Sequence, residues 1–380
     1  MADKLDYFEE SHRIFRQTVA RFVDREIRPH IDEWEEAGEF PKELYTKAGE
    51  IGVLAVCYPE EWSGFQGDVF HEVVVTEELT RSGSGGLAAG LMSHAIALPP
   101  ILALGTKEQK QRFIPPVLRG EKIAALGITE PGGGSDVAAI KTRAVRDGDS
   151  YVVNGSKIMI TSGTRADFVT MAVRTGEEGH RGVSLLVVET DTPGFTASKK
   201  LRKMGWWASD TAELSLLDVR VPAENLLGEE GAGFYGIMQN FQKERLYLAL
   251  MANTTAQMAL EESLAYARGR EAFGKPLTGF QVTRHKLVDM ATLVEVSREF
   301  TYRVAARIQA GEHVIKEISM AKNFASEICD KVCHAAVQIH GGYGYMREYL
   351  VERLYRDSRI LSIGGGTTEI MKEIISKMIL

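Results

Sequence analysis

Along this 380-residue chain the spacing of apolar residues changes period twice, and that double switch limits the fold more than any single motif. Up to about Lys122 the pattern is helical: Phe8, Phe15 and Phe22 recur at helical spacing, and Ile14, Val19 and Ile27 are assigned to the same broad face. Thr106 and Gln109 have the form of a capping box, which starts a helix; the ring sterics and missing donors of Pro115 and Pro116 predict its end there. From about Ile123 to Asn225 short β-branched runs sit between turn residues. Thr142–Arg146 and Tyr151–Asn154 flank an Asp147–Gly148–Asp149 turn and read as a hairpin, and Lys157–Thr161, Phe168–Arg174, Gly182–Glu189 and Glu213–Val221 read as further strands. No helix of useful length separates these runs, which favours antiparallel pairing. After Gly233 helical periods return, with Arg245–Arg268, Gln281–Ala310 and Val314–Ile339 long enough to pack as a bundle. The expected fold is α+β and multidomain: an all-α domain over 1–122, an antiparallel β barrel or sandwich over 123–228, and a helical bundle over 229–380.

Several function classes are disfavoured by the same sequence. Three cysteines make no disulfide framework, which suits a reducing, intracellular setting. The net charge of −7 comes from interleaved acids and bases, without the basic block that marks nucleic-acid binding. No apolar stretch approaches the ~20 residues that span a bilayer, so no membrane insertion is expected. Met1–Glu10 is polar and acidic, unlike a signal or transit peptide, and a cytoplasmic location is expected.

Two motifs tempt. Gly231, Gly233 and Gly236 match the dinucleotide-binding fingerprint, but the loop Pro222–Glu230 separates them from the nearest expected strand and only helices follow, so an entry into a helix is the better reading. Cys329, Cys333, His334 and His340 suggest a metal, yet both cysteines fall on an apolar helical stripe and no second ligand pair accompanies them, so no metal is expected. Ser63-Gly64 and Ser162-Gly163 are ordinary turn pairs, and neither a nucleophile elbow nor a phosphate-binding lysine loop occurs.

Four glycine-rich segments carry the chemistry: Gly127–Asp136, Asn154–Gly163, Arg268–Lys275 with Gln281, and Gln338–Tyr345 answered by Gly364–Glu369. They place exposed backbone beside hydroxyls, amides and arginines, groups suited to a large ligand with phosphates and a hydrogen-bonding ring. In this helical–β–helical frame, Thr129-Glu130-Pro131 with Ser135-Asp136, Arg270 with Phe273-Gly274-Lys275, and Gln338 with Gly341-Gly342 make the chain resemble the acyl-CoA dehydrogenase family essentially end to end. That family comprises FAD enzymes of fatty-acid and branched-chain acyl oxidation. The resemblance implies an N-terminal helical domain, a β domain and a C-terminal four-helix bundle, a homotetramer built from dimers, acyl-CoA as substrate and an electron-transfer flavoprotein as partner. It further implies that Thr129, Met159 and Thr161 contact the flavin, and that Arg270, Phe273 and Gln281 bind the FAD pyrophosphate and adenosine region across a subunit interface. Gln338, Gly341 and Gly342 would lie on the adenine side, Thr367 and Glu369 would close over the cofactor, and Ser135, Phe241, Arg245 and Gly366 would hold substrate. One position departs from the family: tryptophan is usual where Met159 stands, and a thioether shields the flavin less fully.

Dehydrogenation needs a carboxylate beside the α-carbon in a dry pocket. Many family members carry it just before a C-terminal Gly-Thr pair, but here Gly365 precedes Gly366-Thr367. The long-chain and isovaleryl-CoA types instead carry it on a helix directly before an arginine, and Glu244-Arg245 occupies that place. The resemblance thus implies Glu244 as catalytic base, with Glu369 as the fallback. The pocket floor is expected from Leu91–Leu104, where His94 reads as a hydrogen-bonded core residue. A flavin oxidase or monooxygenase of the same fold, and a catalytically silent acyl-CoA-binding relative, are the competing classes.

Overall fold

The computed structural model describes residues 7–65 and 67–380, with Gln239 and Asn240 described by their backbone alone; Met1–Asp6, read above for targeting signals, lie outside them. The N-terminal part is helical: α1 (Glu10–Phe22), α2 (Ile31–Ala37), α3 (Glu43–Glu50), α4 (Val69–Thr80), α5 (Gly85–Leu91), α6 (His94–Ala97), α7 (Pro99–Leu104) and α8 (Lys107–Leu118). On α1 the stripe of Phe15, Val19 and Phe22 packs inward, with Phe8 just before the helix joining them, whereas Ile14 is 57% exposed. At 100° per residue Ile14 lies roughly 140° from Val19, off the apolar face. Thr106 caps α8 as expected, accepting from Gln109 N at 3.3 Å while Gln109 Oε1 accepts from Thr106 N at 2.7 Å. The helix does not stop at Pro115 and Pro116 but runs through them to Leu118. The carbonyls they leave unpaired belong to Gln111 and Arg112, both exposed, so water can take the lost bonds.

The middle part is one sheet of β1 (Ala124–Gly127), β2 (Arg143–Asp147), β3 (Ser150–Thr161), β4 (Phe168–Arg174), β5 (Val183–Glu189), β6 (Phe195–Ala197), β7 (Thr211–Pro222) and β8 (Leu226–Leu227), in the order β6-β7-β3-β2-β4-β5-β8 with β1 beside β4. Most strand pairs are antiparallel, as expected, with two parallel exceptions. β1 runs parallel to β4, and β2 meets β4 in parallel at Arg143–Arg174. The long excursion through the β2–β3 hairpin supplies the crossover that parallel strands require. Asp147 pairs with Ser150, so the hairpin loop is Gly148–Asp149, one residue later than the Asp-Gly turn expected. Gly148 takes φ +64°, the left-handed conformation that glycine adopts freely. The two strands expected within 151–161 are a single one whose pairing with β7 shifts between Val153 and Gly155 and again between Lys157 and Ile160.

The C-terminal part comprises α9 (Gly233–Gly269), a hairpin of β9 (Glu271–Ala272) and β10 (Lys275–Pro276), α10 (Gln281–Gln309), α11 (Ile315–His340), α12 (Leu350–Ser358) and α13 (Thr368–Ile379). α9 begins at the tempting glycines, well before Arg245. A Cβ on Gly233 would come within 2.6 Å of the Ser184 backbone, and one on Gly236 within 2.7 Å of Leu104. Those glycines let the helix start against the sheet. β8 does precede them, but it pairs antiparallel with β5 and builds no βαβ unit. Cys329 and Cys333 are buried one turn apart on α11 with sulfurs 3.9 Å from each other, packed in the core. Among the described residues no single helix is long and apolar enough to cross a membrane; one bent pair, Gly85–Leu91 with His94–Leu104, passes by length and composition and is largely buried.

Candidate active site

Where the three parts meet they enclose a cavity of about 1160 Å³. Its β wall is built on a buried ion pair that sequence reading missed. Lys157, fully buried on β3, donates to Glu130 Oε1 at 2.8 Å and to the Ile128 carbonyl at 3.1 Å. The Glu130 carboxylate also accepts from Lys141 N at 2.6 Å and Thr142 N at 2.9 Å. Burial pushes the Glu130 carboxyl up, but Lys157 and these donors outweigh it and hold it below its usual range. Ile158 N donates to the Thr129 carbonyl at 2.9 Å, so the loop bearing Thr129 and Ser135 is tied to the strand bearing Met159 and Thr161. All four line the cavity, Ser135 as an exposed residue of the glycine loop. Met159 stands at the second register shift of β3 with φ +62° and is 66% exposed into this space. Such an irregularity re-aims a side chain.

Phe241, Glu244 and Arg245 line the cavity from α9. Glu244 is half-buried, and desolvation raises its carboxyl from the ordinary value to about 7 while Arg245 and Lys322 oppose the rise. Facing it is the turn of Gly364–Thr367, in which Gly365 has φ +63° and Gly366 φ +99°. A Cβ on Gly365 would lie 3.6 Å from Glu244 Cγ and Cδ and 2.5 Å from Leu248 Cδ1. The two sequence positions weighed for the base are therefore neighbours in space. Thr367 lines the cavity and caps α13, accepting from Ile370 N at 3.3 Å. Glu369, one turn-step on, is exposed and does not line the cavity.

A largely apolar arm leads off between α4, α6 and α9, lined by Val75, Met92, Ile96, Pro99 and Leu102. His94 also lines it; Nε2 bonds the Leu54 carbonyl at 2.9 Å, and burial lowers its pKa to about 4, so it is a neutral core residue. Glu72 and Lys243, an ion pair at 3.2 Å, interrupt the apolar lining and were not picked out from sequence.

The remaining predicted residues are elsewhere. Arg270, Phe273, Gln281, Gln338, Gly341 and Gly342 lie around the far end of α9, in and beside the β9–β10 hairpin and the C-terminus of α11. The cavity lining includes none of them. Phe273 is 96% exposed, and the Arg270 guanidinium stands 5.6 Å from the Tyr343 ring centre. Arg270, just past the end of α9, follows Glu244 by 26 positions, roughly 39 Å at 1.5 Å per residue. Within one copy of the chain, the predicted set divides in two.

A metal is a poor fit to the one cluster of candidate ligands among the described residues, His12, Asp68 and His71. His12 Nδ1 accepts from Glu9 N at 2.8 Å, so Nε2 carries the proton and donates to Asp68 at 2.8 Å. Asp68 in turn caps α4 through Phe70 N and His71 N. The main cavity, by contrast, suits a large polar ligand. Arg245 Nε is buried without a hydrogen-bond partner on a residue that lines it, and Met159 and Trp206 line the same space. An unpaired guanidinium nitrogen and flat or polarizable surfaces are what a phosphate-bearing ring ligand would complete.

Models of the acyl-CoA dehydrogenase N-terminal, middle and C-terminal domains match residues 9–121, 125–219 and 231–380. The long-chain specific mitochondrial acyl-CoA dehydrogenase of Rattus norvegicus is 42% identical over 375 residues, 98% of this chain and 87% of that protein. A subunit of the caffeyl-CoA reductase–Etf complex of Acetobacterium woodii is 38% identical over 378 residues, covering 98% and 99%. The crystal structure of a probable acyl-CoA dehydrogenase from Mycobacterium abscessus superposes with a TM-score of 0.97 at 53% identity, covering 98% of this chain and 100% of that one. Fold and site together define a three-domain oxidoreductase acting on acyl-CoA. The chain belongs to the acyl-CoA dehydrogenase family, whose members are FAD-dependent.

Proposed function

We propose that this protein α,β-dehydrogenates a medium- to long-chain or branched acyl-CoA, with Glu244 as the base that takes the α-proton. The observation that carries the reading is the half-buried Glu244 carboxyl, raised to about 7 and facing a turn where Gly365 leaves room beside it. A base poised near working pH combines enough ionised form with enough proton affinity. FAD, when bound, supplies the acceptor for the hydride that leaves the β-carbon.

This chain's own residues do the rest. Thr129, Met159 and Thr161 present the β wall to the flavin ring. Ser135 and Phe241 hold the thioester and its acyl chain, Gly366 exposes backbone to the reacting end, and Arg245 offsets the charge that Glu244 carries before proton transfer. The apolar arm excludes water from the reacting carbons. Thr367 borders the cofactor from the start of α13, whereas Glu369, exposed outside the cavity lining, does not reach it there. Arg270, Phe273, Gln281, Gln338, Gly341 and Gly342 lie too far from Glu244 to serve the same cavity, so a second copy of the chain would supply them to the FAD pyrophosphate and adenine, in a homotetramer built from dimers. Electrons then pass to an electron-transfer flavoprotein, a partner supported by the relative named as part of an Etf complex. These assignments make the protein an enzyme of fatty-acid metabolism, in β-oxidation.

The deciding experiment is anaerobic flavin bleaching by straight and branched acyl-CoAs, with wild type and Glu244→Gln compared. Bleaching by wild type and none by the variant supports the reading; equal bleaching overturns the base. One observation favours a second reading, an oxidase: Met159 covers the site with an exposed thioether rather than an indole. Substrate-dependent oxygen consumption faster than transfer to an electron-transfer flavoprotein would select it.

A further inference from the structure

Lys322 on α11 is fully buried, and among the described residues no carboxylate pairs with it. Its Nζ donates to the Gly366 carbonyl at 2.8 Å. Two neutral neighbours perform the same kind of pinning: Ser326 Oγ donates to the Leu361 carbonyl at 3.0 Å, and Asn323 Nδ2 donates to the Thr368 carbonyl at 3.1 Å. A hydroxyl or an amide therefore suffices to hold this segment, and a buried ammonium is a costly way to make one more such bond. A charge at this place requires a purpose besides pinning. The turn it holds lies directly against Glu244, because the space beyond Gly365 is occupied by the Glu244 carboxyl group and by Leu248.

The charged groups around the pair are few. Arg245 acts on Glu244 from the same helix, Lys322 acts on it from α11, and Arg245 and Glu369 on α13 also act on Lys322. Burial brings Lys322 down to about 8 and Glu244 up to about 7, and each charge opposes the other's displacement.

We infer that Lys322 is a positioning residue of the α-proton base, holding the Gly364–Thr367 turn through the Gly366 carbonyl and presenting a buried positive charge to Glu244 from the facing helix. The inference rests on Glu244 being the base. It predicts that the two contributions separate by substitution. Lys322→Gln keeps a donor for Gly366 and loses the charge, Lys322→Arg keeps the charge, and Lys322→Met loses both.

The test is single-turnover flavin reduction from pH 5.5 to 9 (a range spanning about 7), using butyryl-, octanoyl- or palmitoyl-CoA, whichever reduces wild type fastest. Removing a nearby positive charge favours the protonated carboxyl. In Lys322→Gln the midpoint of the rising limb should therefore move up by about one pH unit, lowering the rate below the midpoint about tenfold while the high-pH plateau returns toward wild type. Lys322→Met should show the same shift with a lowered plateau, and Lys322→Arg should keep the wild-type midpoint. A purely structural lysine would change the plateau or flavin content and leave the midpoint alone, which overturns the inference. It is equally overturned if both neutral variants fail to load FAD while Lys322→Arg loads it, since the charge then serves folding. If Glu244→Gln reduces flavin at the wild-type rate, the base assignment itself has failed; an inactive Glu244→Gln with unshifted Lys322 variants rejects the inference alone.

Discussion

The two ends of α9 carry the same kinds of residue into opposite surroundings. Near its start, Glu244 and Arg245 lie inside the protein, in contact with a turn more than a hundred residues away in sequence. Just past its end, Arg270 and Phe273 project from a two-stranded hairpin into solvent. Burial changes chemistry at the first end: the Glu244 carboxyl is raised to about 7, and the Arg245 guanidinium is lowered from its usual value, because water is removed from both. At the second end the side chains keep their conformational freedom, so whatever they bind must bring its own desolvation. The buried end suits proton transfer, and the exposed end suits recognition of phosphate by a second surface.

The comparison is broken most severely at the buried end. Glu244→Gln preserves shape and removes the proton acceptor; single-turnover flavin reduction should fall ~10²–10⁴-fold with CoA-ester binding retained, as stopped-flow absorbance will show. Moving the carboxylate, with Glu244→Gly and Gly365→Glu, should restore part of that rate only if Leu248→Ala is added, because a side chain at position 365 meets Leu248 at 2.5 Å. Lys157→Met leaves the Glu130 carboxylate buried without its partner and should cost ~3–5 kcal/mol of stability, read by denaturant unfolding.

At the exposed end the effects should be smaller and confined to the cofactor. On the proposed role of Arg270 at the FAD pyrophosphate, Arg270→Ala would remove a charge-assisted contact worth ~1.5–3 kcal/mol, so FAD should dissociate at least tenfold more readily in fluorescence titration. Thermal stability of the FAD-free chain should hardly change, since Arg270 is exposed. The smallest effect sharpens the contrast through pH. A carboxyl whose folded pKa is raised contributes stability below its unfolded pKa that is lost as pH rises toward the folded value of about 7. Glu244→Gln escapes that loss, so relative to wild type it should gain ~1–3 kcal/mol between pH 4.5 and 8, visible as a melting temperature that falls less steeply with pH.

The sequence by itself determined the order of helical, β and helical regions, the helices Gln281–Gln309 and Ile315–His340 almost to their ends, and the strand Phe168–Arg174. It did so because the period of apolar residues is a local property that burial of one face imposes wherever the element packs. It also brought out the glycine-rich segments, since positive backbone angles and close approaches select glycine residue by residue. It misjudged Ile14, the prolines of α8 and the parallel β1, where the outcome depends on what lies alongside rather than on the segment itself. Only the tertiary structure decided that Glu244 borders the cavity and Glu369 does not, although both are glutamates on helices, Glu244 within α9 and Glu369 in the first turn of α13. The same holds for Lys157 with Glu130, Lys322 with Gly366, and Glu72 with Lys243: each pair is assembled from segments 27, 44 and 171 residues apart. Desolvation and partner charges set what a titratable group can do, and both depend on the atoms that folding brings around it.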